Sequence, residues 1–501
     1  MSTGDEVVSD DGYGASCAMF GTVVAFLDSE EAASLEHAEL EDQLAQRSRE
    51  LFCCLFQDHL DRRAQREPRL EGVADAEGVG RPSVEAGHHR QLATIFGDVD
   101  VERLAYRCRG RANLHPADAA LNLPAERYSH GLRRLAAIEA SRGSFGDAVD
   151  AIARATGQHV GKRQVEELTR RAAVDIDDFY TAISREPAGD GDMLVISVDG
   201  KGIVMRPDSL RPATEKAAAR ATTKLKTRLS KGEQPNRKRL ATVGAVYDTT
   251  PVPRQPTDVL ASKAGDNPPP APKAKAKWMT ASVADSAAHV VGAVFDEAQR
   301  RDPHHRRRWV ALVDGNQHQI DRLHAEAEQR GVEITIVVDL IHVLEYLWGA
   351  AWCFFSEADP AAETWMHERA LGVLGGHATN VAAGIRRRAT AARLSPSKRR
   401  KADLCAAYLA NKAPYLNYPT ALAAGWPIAT GVIEGACRHL VKDRMDITGA
   451  RWGLDGAEAV LELRALRTNR DFDTYWHFHL RQERHRLHEN RYLNGAIPRA
   501  A

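Results

Sequence analysis

The sequence predicts an α/β domain carrying a large all-α insertion, preceded by a mainly helical N-terminal region. Three observations carry this expectation. Short apolar, β-branched runs at 194–198, 241–247, 309–313 and 333–338 have the length and composition of strands. The last two alternate with helical patterns at about 281–300 and 317–330, and such alternation implies parallel strands. Residues 340–424 then read as helical throughout, with several apolar faces.

At 501 residues the chain exceeds one ordinary domain, so two or three are expected. With 68 basic and 68 acidic side chains, net charge points to no class of partner, and the distribution of charge has to speak instead. Seven cysteines form no paired Cys-x-x-Cys sets; Cys53 and Cys54 are adjacent and the rest are scattered. That usage suits a reducing cytosol and excludes a disulfide framework or zinc ribbon. The longest early apolar run, 18–27, contains Gly21 and is too short to span a bilayer, so a soluble cytoplasmic protein is expected, with no membrane partner.

Taken in order, residues 1–30 carry few apolar anchors and read as a disordered tail. Residues 31–128 hold a long helix, with Leu35, Leu40, Leu44, Leu51, Phe52, Leu55 and Phe56 along one stripe, then a polar loop at 67–91 and a hairpin about Gly97-Asp98. Residues 129–184 are helical. Ser144 can cap a helix at about 145–155, Gly157 marks a turn, and a further helix runs from Gly161. The proportions are those of a helix-turn-helix, with Lys162 and Arg163 at the front of the second helix, where they can reach phosphates or base edges. Most helical hairpins of this size are structural.

Residues 190–339 form the first part of an α/β core. It opens with a strand pair, 194–198 and 203–205, about a turn at Gly200. The basic loop 206–239 follows. From Arg211 to Arg239 ten Lys and Arg, among them Lys224, Lys226, Arg228, Arg237, Lys238 and Arg239, face two acids. A solvated loop could look like this, but so strong an excess suits an approaching polyanion. A Pro-rich, Lys-bearing connection spans 251–277. Residues 425–470 return to the core, and 471–501 read as a basic, His-rich tail.

Three carboxylates stand out. Asp199 and Asp314 close apolar strand runs, and Glu434 lies near the start of a helix opened by Thr430 and Gly431. Strand–strand–strand–helix–strand–helix–strand, with aspartates ending the first and fourth strands, is the order of an RNase H-like domain, in which those two strands are neighbours. An all-oxygen set suits Mg²⁺, and two such ions can clamp the attacking and leaving oxygens of an in-line phosphoryl transfer. Each residue also has a plain structural role open to it. Asp-Gly after a strand is a common turn, and Glu434 can pair with Arg438 one turn on. Asp339, which ends the fifth strand and precedes His342 in an Asp-x-x-His spacing, is a rival second carboxylate, or else a helix cap with a packed histidine. Asp314 is favoured because it closes the fourth strand.

The segments Ser197-Val-Asp-Gly-Lys-Gly202, Val313-Asp-Gly-Asn-Gln-His318, Val338-Asp-Leu-Ile-His-Val-Leu-Glu-Tyr-Leu-Trp348, Gly431-Val-Ile-Glu-Gly-Ala-Cys-Arg-His439 and Asp443-Arg-Met-Asp-Ile-Thr-Gly-Ala-Arg-Trp452 resemble the acidic-triad transposases of bacterial insertion sequences, specifically the ISKra group, itself distantly similar to the Mutator-like transposases. The resemblance covers about 90–480. It implies a catalytic and metal-binding triad of Asp199, Asp314 and Glu434, two Mg²⁺ (or Mn²⁺) ions bridged by Asp199, and an accessory Asp339/His342 element. It implies binding to double-stranded DNA at terminal inverted repeats, strand cleavage, strand transfer into target DNA, and a homo-oligomer on DNA in the bacterial nucleoid. Lys201, Arg438, Lys442, Arg444 and Arg451 become candidates for holding phosphates, and Trp452 for stacking on an unpaired base. Two other readings stay open: an RNase H-like endonuclease without strand transfer, and an inactive transposase-derived DNA-binding protein.

Overall fold

A computed structural model describes residues 12–184, 191–220, 236–260, 268–447 and 449–499. The chain divides into two compact units, Met1–Ala182 with Asp471–Ala501, and Ile183–Arg470. The architecture is mixed α/β, and no helix among the described residues is long and apolar enough to cross a membrane.

In the first unit the long helix runs His37–Gln65, opened by a capping box in which Glu36 and Glu39 satisfy each other's backbone N–H groups. The hairpin consists of β1 (Ser83–Ala93) and β2 (Asp98–Arg107). Helices His130–Arg142, Phe145–Thr156 and Lys162–Arg171 follow. Ser129 and Ser144 cap the first two, and Gly157 at φ +70° ends the second. Leu132, Ala136, Ile152, Val165 and Leu168 form the core they share.

Three expectations fail here. Part of the expected tail is helical, at Gly14–Leu27, where Ser16 donates to the buried carboxylate of Asp58. The polar loop ends early, because β1 starts at Ser83. The basic tail is a helix, Phe472–Leu487, with Phe472, Tyr475, Trp476, His479 and Glu483 buried on one face. Its polar members are paired rather than solvated. His479 Nδ1 lies 2.6 Å from Asp175, Glu483 pairs with the buried Arg133, and Arg486 donates to both oxygens of Asp175.

The second unit is built on five strands: β3 (Met193–Val204), β4 (Lys238–Thr249), β5 (Ala274–Ser282), β6 (Trp309–Val313) and β7 (Ile334–Val338). Their order across the sheet is β5-β4-β3-β6-β7. The pairs β5/β4 and β4/β3 are antiparallel, whereas β3/β6 and β6/β7 are parallel. Every residue of β6 is buried, as an inner parallel strand requires. Helices Ala287–Arg301 and Gln317–Arg330 make the crossovers.

The expected turn at Gly200 does not exist. Gly200 pairs with Thr242 and Gly202 with Leu240 in an unbroken ladder, so β3 is one long strand and Asp199 lies within it rather than at its end. The two glycines provide room for the side chains of Leu240 and Lys238, which come within 3.0–3.1 Å of where a Cβ would stand. The expected Pro-rich connection is also cut short, because β5 begins at Ala274. Between β7 and Glu434 lie helices Leu340–Ala351, Pro360–Leu374, Ala378–Ala391, Pro396–Lys412 and Tyr418–Ala423.

The first unit carries an acid-sensitive device. Burial pushes His130 down to about 4, helped by Arg133, and its Nε2 is 2.7 Å from the Asn122 carbonyl. Burial also lowers His115 and His488. Half-buried Glu67, held up by desolvation, opposes them as a single group. A histidine with a depressed folded pKa contributes stability that is full above its ordinary 6.5 and is lost as pH falls toward the folded value. For His130 the window is 6.5 to about 4, and the loss is on the order of 3 kcal/mol. Thermal unfolding of wild type should therefore fall across that window, and His130→Gln should flatten the slope. A parallel slope in the variant would refute the assignment.

Candidate functional site

The sheet register sets the site. Ser197 of β3 stands opposite Leu312 of β6, and Val313 of β6 opposite Val338 of β7. Two residues past the first pair come Asp199 and Asp314, and one past the second come Asp314 and Asp339. Three aspartates thus occupy one row across three adjacent strands, spaced by roughly 4.8 Å per strand.

Asp314 is half-buried, and its Oδ1 accepts the N–H of Asn316 at 2.7 Å. Asn316 in turn caps helix Gln317–Arg330. Between them Gly315 takes φ +90°, and a Cβ there would lie 2.7 Å from the hydroxyl of Tyr408, which donates to the Asp314 carbonyl at 2.9 Å. Burial raises the Asp314 carboxyl above the usual range. The charges of Asp199 and Asp339 add to this, against the Asn316 N–H and His342.

Asp339 is fully buried and caps helix Leu340–Ala351. Its Oδ2 accepts Nδ1–H of His342 at 2.8 Å, and its Oδ1 accepts the N–H of Thr430 at 2.9 Å. Burial pushes this carboxyl up, but those hydrogen bonds outweigh it and hold Asp339 below the ordinary range. The same bond to Asp339 pushes His342 up to about 9, so its imidazole is a cation at neutral pH, one positive group among four carboxylates.

Glu434 lies on helix Gly431–Ala436, which continues as a π-helix over Cys437–Lys442. From helix Leu454–Thr468, Arg464 donates to the carbonyls of His439 and Leu440 and so takes up groups that the π turn displaces. The segment reaches both ends of the aspartate row. One ligand atom each of Asp339, His342 and Glu434 lie within 4.8 Å of one another, and the Cys437 thiol donates to Asp199 Oδ2 at 3.3 Å. Burial raises that thiol, reinforced by Asp199, so it stays a neutral donor. Among the described residues, Asp199 and Asp314 do not join the tight group. The pair expected to be accessory, Asp339 and His342, is therefore what meets Glu434. A metal would have to displace a proton from the His342 imidazolium; the resulting carboxylate–imidazole set suits Mn²⁺ or a later transition metal better than Mg²⁺, whereas the carboxylates of Asp199 and Asp314 suit Mg²⁺.

The expected phosphate contacts divide. Lys162, Arg163, Lys201, Lys238, Arg438, Lys442 and Arg451 are exposed, and Arg237 is half-buried. Arg438 lies 3.7 Å from Asp443. Arg239 does not fit the expectation, because its guanidinium donates to the carbonyls of Val283, Ala284 and Ser209. Nor do Arg444 and Trp452. Both are buried, with the guanidinium 4.6 Å over the indole and the indole N–H donating to Met445. Trp452 also bridges to Val204 and Arg206 beside β3, so it is core and offers no face to a base. Lys224, Lys226 and Arg228 lie outside the described residues. From the sequence Thr430 was read only as opening the Glu434 helix and Cys437 only as a packing residue, and Tyr408 was missed; their bonds to Asp339, Asp199 and Asp314 carry no signal until the fold brings them to the carboxylates.

No protein-family model matches this chain, and no curated protein is significantly similar to it.

Asp339→Asn removes the charge that orients His342. Binding of Mn²⁺, followed by electron paramagnetic resonance, should weaken by about 10- to 100-fold, as it does when a partner of a metal ligand is lost. Unchanged binding would show that the group holds no ion. Gly315→Ala should destabilise the second unit by about 1–3 kcal/mol, since it meets both a left-handed φ and the Tyr408 hydroxyl. A melting temperature equal to wild type would contradict the close approach.

Proposed function

We propose that the second unit is a metal-dependent DNA phosphoryl-transfer domain of RNase H-like fold, with helices 340–424 as an insertion, and that the protein is an insertion-sequence transposase. One observation carries the reading. Asp199, Asp314 and Asp339 stand in one row on β3, β6 and β7, and the Glu434 helix reaches both ends of that row. The strand order adds support, since three antiparallel strands followed by two parallel ones, with the first strand central, is the RNase H-like arrangement.

Asp339 and Glu434 lie close together, and Asp314 on the neighbouring strand is raised by burial and then by the charges of Asp199 and Asp339, so the site calls for cations. Asp199, Asp314 and Glu434 would hold two Mg²⁺ or Mn²⁺ ions, with Asp339 and His342 beside them. When bound, such ions activate the attacking water or 3′-hydroxyl and stabilise the leaving oxygen. The protein's own residues do the rest. Cys437 and the Gly200 N–H fix the Asp199 carboxylate. Asn316 and Tyr408 fix the Asp314 loop. Asp339 is spent on Thr430 and His342, so it aligns the imidazole, whose charge can meet a phosphate oxygen. Exposed Lys201, Arg438, Lys442 and Arg451 supply cations for the DNA backbone.

The test is incubation of the purified protein with a plasmid carrying its gene's own flanking DNA and Mg²⁺ or Mn²⁺. Cleavage and joining at defined flanking positions are expected. Asp199→Ala, Asp314→Ala and Glu434→Ala should each reduce both to background while leaving DNA binding intact. Wild-type rates in any one variant would remove that residue from the mechanism. Cutting without positional preference or joining would replace the transposase by a nuclease.

A further inference from the structure

Helix Leu340–Ala351 leaves the site with a repeating face. Asp339 and His342 belong to the carboxylate group at its start, Tyr346 lies one turn on, and Gly349 one turn beyond that. Residues three and four apart share a helix face. Tyr346 is 37% exposed. One side of it is taken: it stacks on Tyr408 with centroids 4.0 Å apart and planes 16° from parallel. Tyr408 is itself tied to the Asp314 carbonyl. The ring is therefore held rigid from behind, beside the carboxylates, with area open to solvent. At Gly349 the missing side chain leaves space beside the stem of exposed Lys401, whose Cδ would lie 3.8 Å from a Cβ there. Lys401 belongs to helix Pro396–Lys412, where Lys398, Arg399, Arg400, Lys401 and Lys412 face one acid, Asp403, already paired with Arg399. On helix Leu340–Ala351 the acid beside the ring is Glu345.

We propose that Tyr346 is the seat of one unpaired nucleobase in the DNA strand being processed, and that Lys401 takes a phosphate next to it. The inference rests on the DNA reading above and adds to it how the strand is held. Seven residues from His342 to Gly349 span about 10 Å of helix, along which a carboxylate group, a fixed ring and a cation follow one another. A strand with its backbone at the carboxylates can lay a base on the ring only if that base has left its duplex partner. Stacking is tolerant of base identity, which suits a seat that has no hydrogen-bonding groups of its own on the ring face. The cationic surround favours a polyanion over a protein partner.

The test uses the full chain and oligonucleotides carrying 2-aminopurine, whose fluorescence falls on stacking, in Ca²⁺ buffer. Wild type should quench the probe in a single-stranded or forked substrate. Tyr346→Phe should do the same, because the hydroxyl is not part of the seat. Tyr346→Ala should lose the quenching and weaken binding roughly 5- to 100-fold. Lys401→Ala, which leaves the ring stack in place, should keep the quenching and reduce the log–log salt slope by about 0.7. Quenching retained in Tyr346→Ala, or lost in Tyr346→Phe, overturns the proposal. So does a Tyr346→Ala effect confined to oligomeric state, which would make the ring a protein contact. Duplex binding by wild type without any quenching sinks the seat alone, whereas no binding to any DNA sinks the DNA reading and the seat together.

Discussion

The carboxylate of Asp339 holds the second unit's site together. It ends β7, caps the next helix, orients His342, and through Oδ1 receives the N–H of Thr430, a residue 91 positions later in the chain. Leu340 N–H to the Ile428 carbonyl, at 2.9 Å, runs beside it. These bonds dock the start of the Glu434 segment on the sheet. Asp339 is fully buried, so each bond is made at low dielectric and to a charge, worth about 1.5–3 kcal/mol. Without them a buried carboxylate would be stranded and the Glu434 helix would have nothing to fix its entry.

That dependence explains the electrostatics. Four acids cannot share one end of a sheet without compensation. His342 supplies one positive charge, drawn up to about 9 by the carboxylate it serves. Asp314, relieved by the Asn316 N–H and that imidazole, is still left raised by burial and by its neighbours. The site is thus balanced near β7, and the excess of negative charge falls on Asp314 at the end of β6. Cys437 adds a neutral donor to Asp199, and the cation of Lys201, on the same strand as Asp199, acts on that thiol.

What the sequence could tell follows from how local each signal is. β6, the helix after it and β7 were legible nearly to the residue, because an all-apolar strand and an amphipathic helix with an Asn cap are each written within a few positions. Asp199 was found because it closes an apolar run, and it was misplaced at a strand end because the Gly200 after it reads as a turn. Glycine in a strand reads as a turn until a neighbouring strand is seen to place Leu240 and Lys238 against it. Helix Phe472–Leu487 hid behind its arginines and histidines, whose partners Arg133 and Asp175 lie some three hundred residues away. Trp452 became a base-stacking candidate only through the family resemblance. Its burial under Arg444 is a tertiary fact.

The meeting of Asp339 and His342 with Glu434 belongs to the same class. The Asp-x-x-His spacing is local and was read, but its distance to a glutamate ninety-two positions on from His342 depends on five intervening helices returning the chain to the sheet. The π turn that starts at Cys437 then matters. Glu434 and Cys437 are three positions apart on regular helical backbone, yet Glu434 meets Asp339 and His342 while Cys437 meets Asp199, and the helix widens from Cys437 on. The cost is a set of displaced carbonyls, and Arg464 is buried beneath them to accept that burden. The site's reach across three strands therefore rests on one short helical segment, whose widened turn that guanidinium supports.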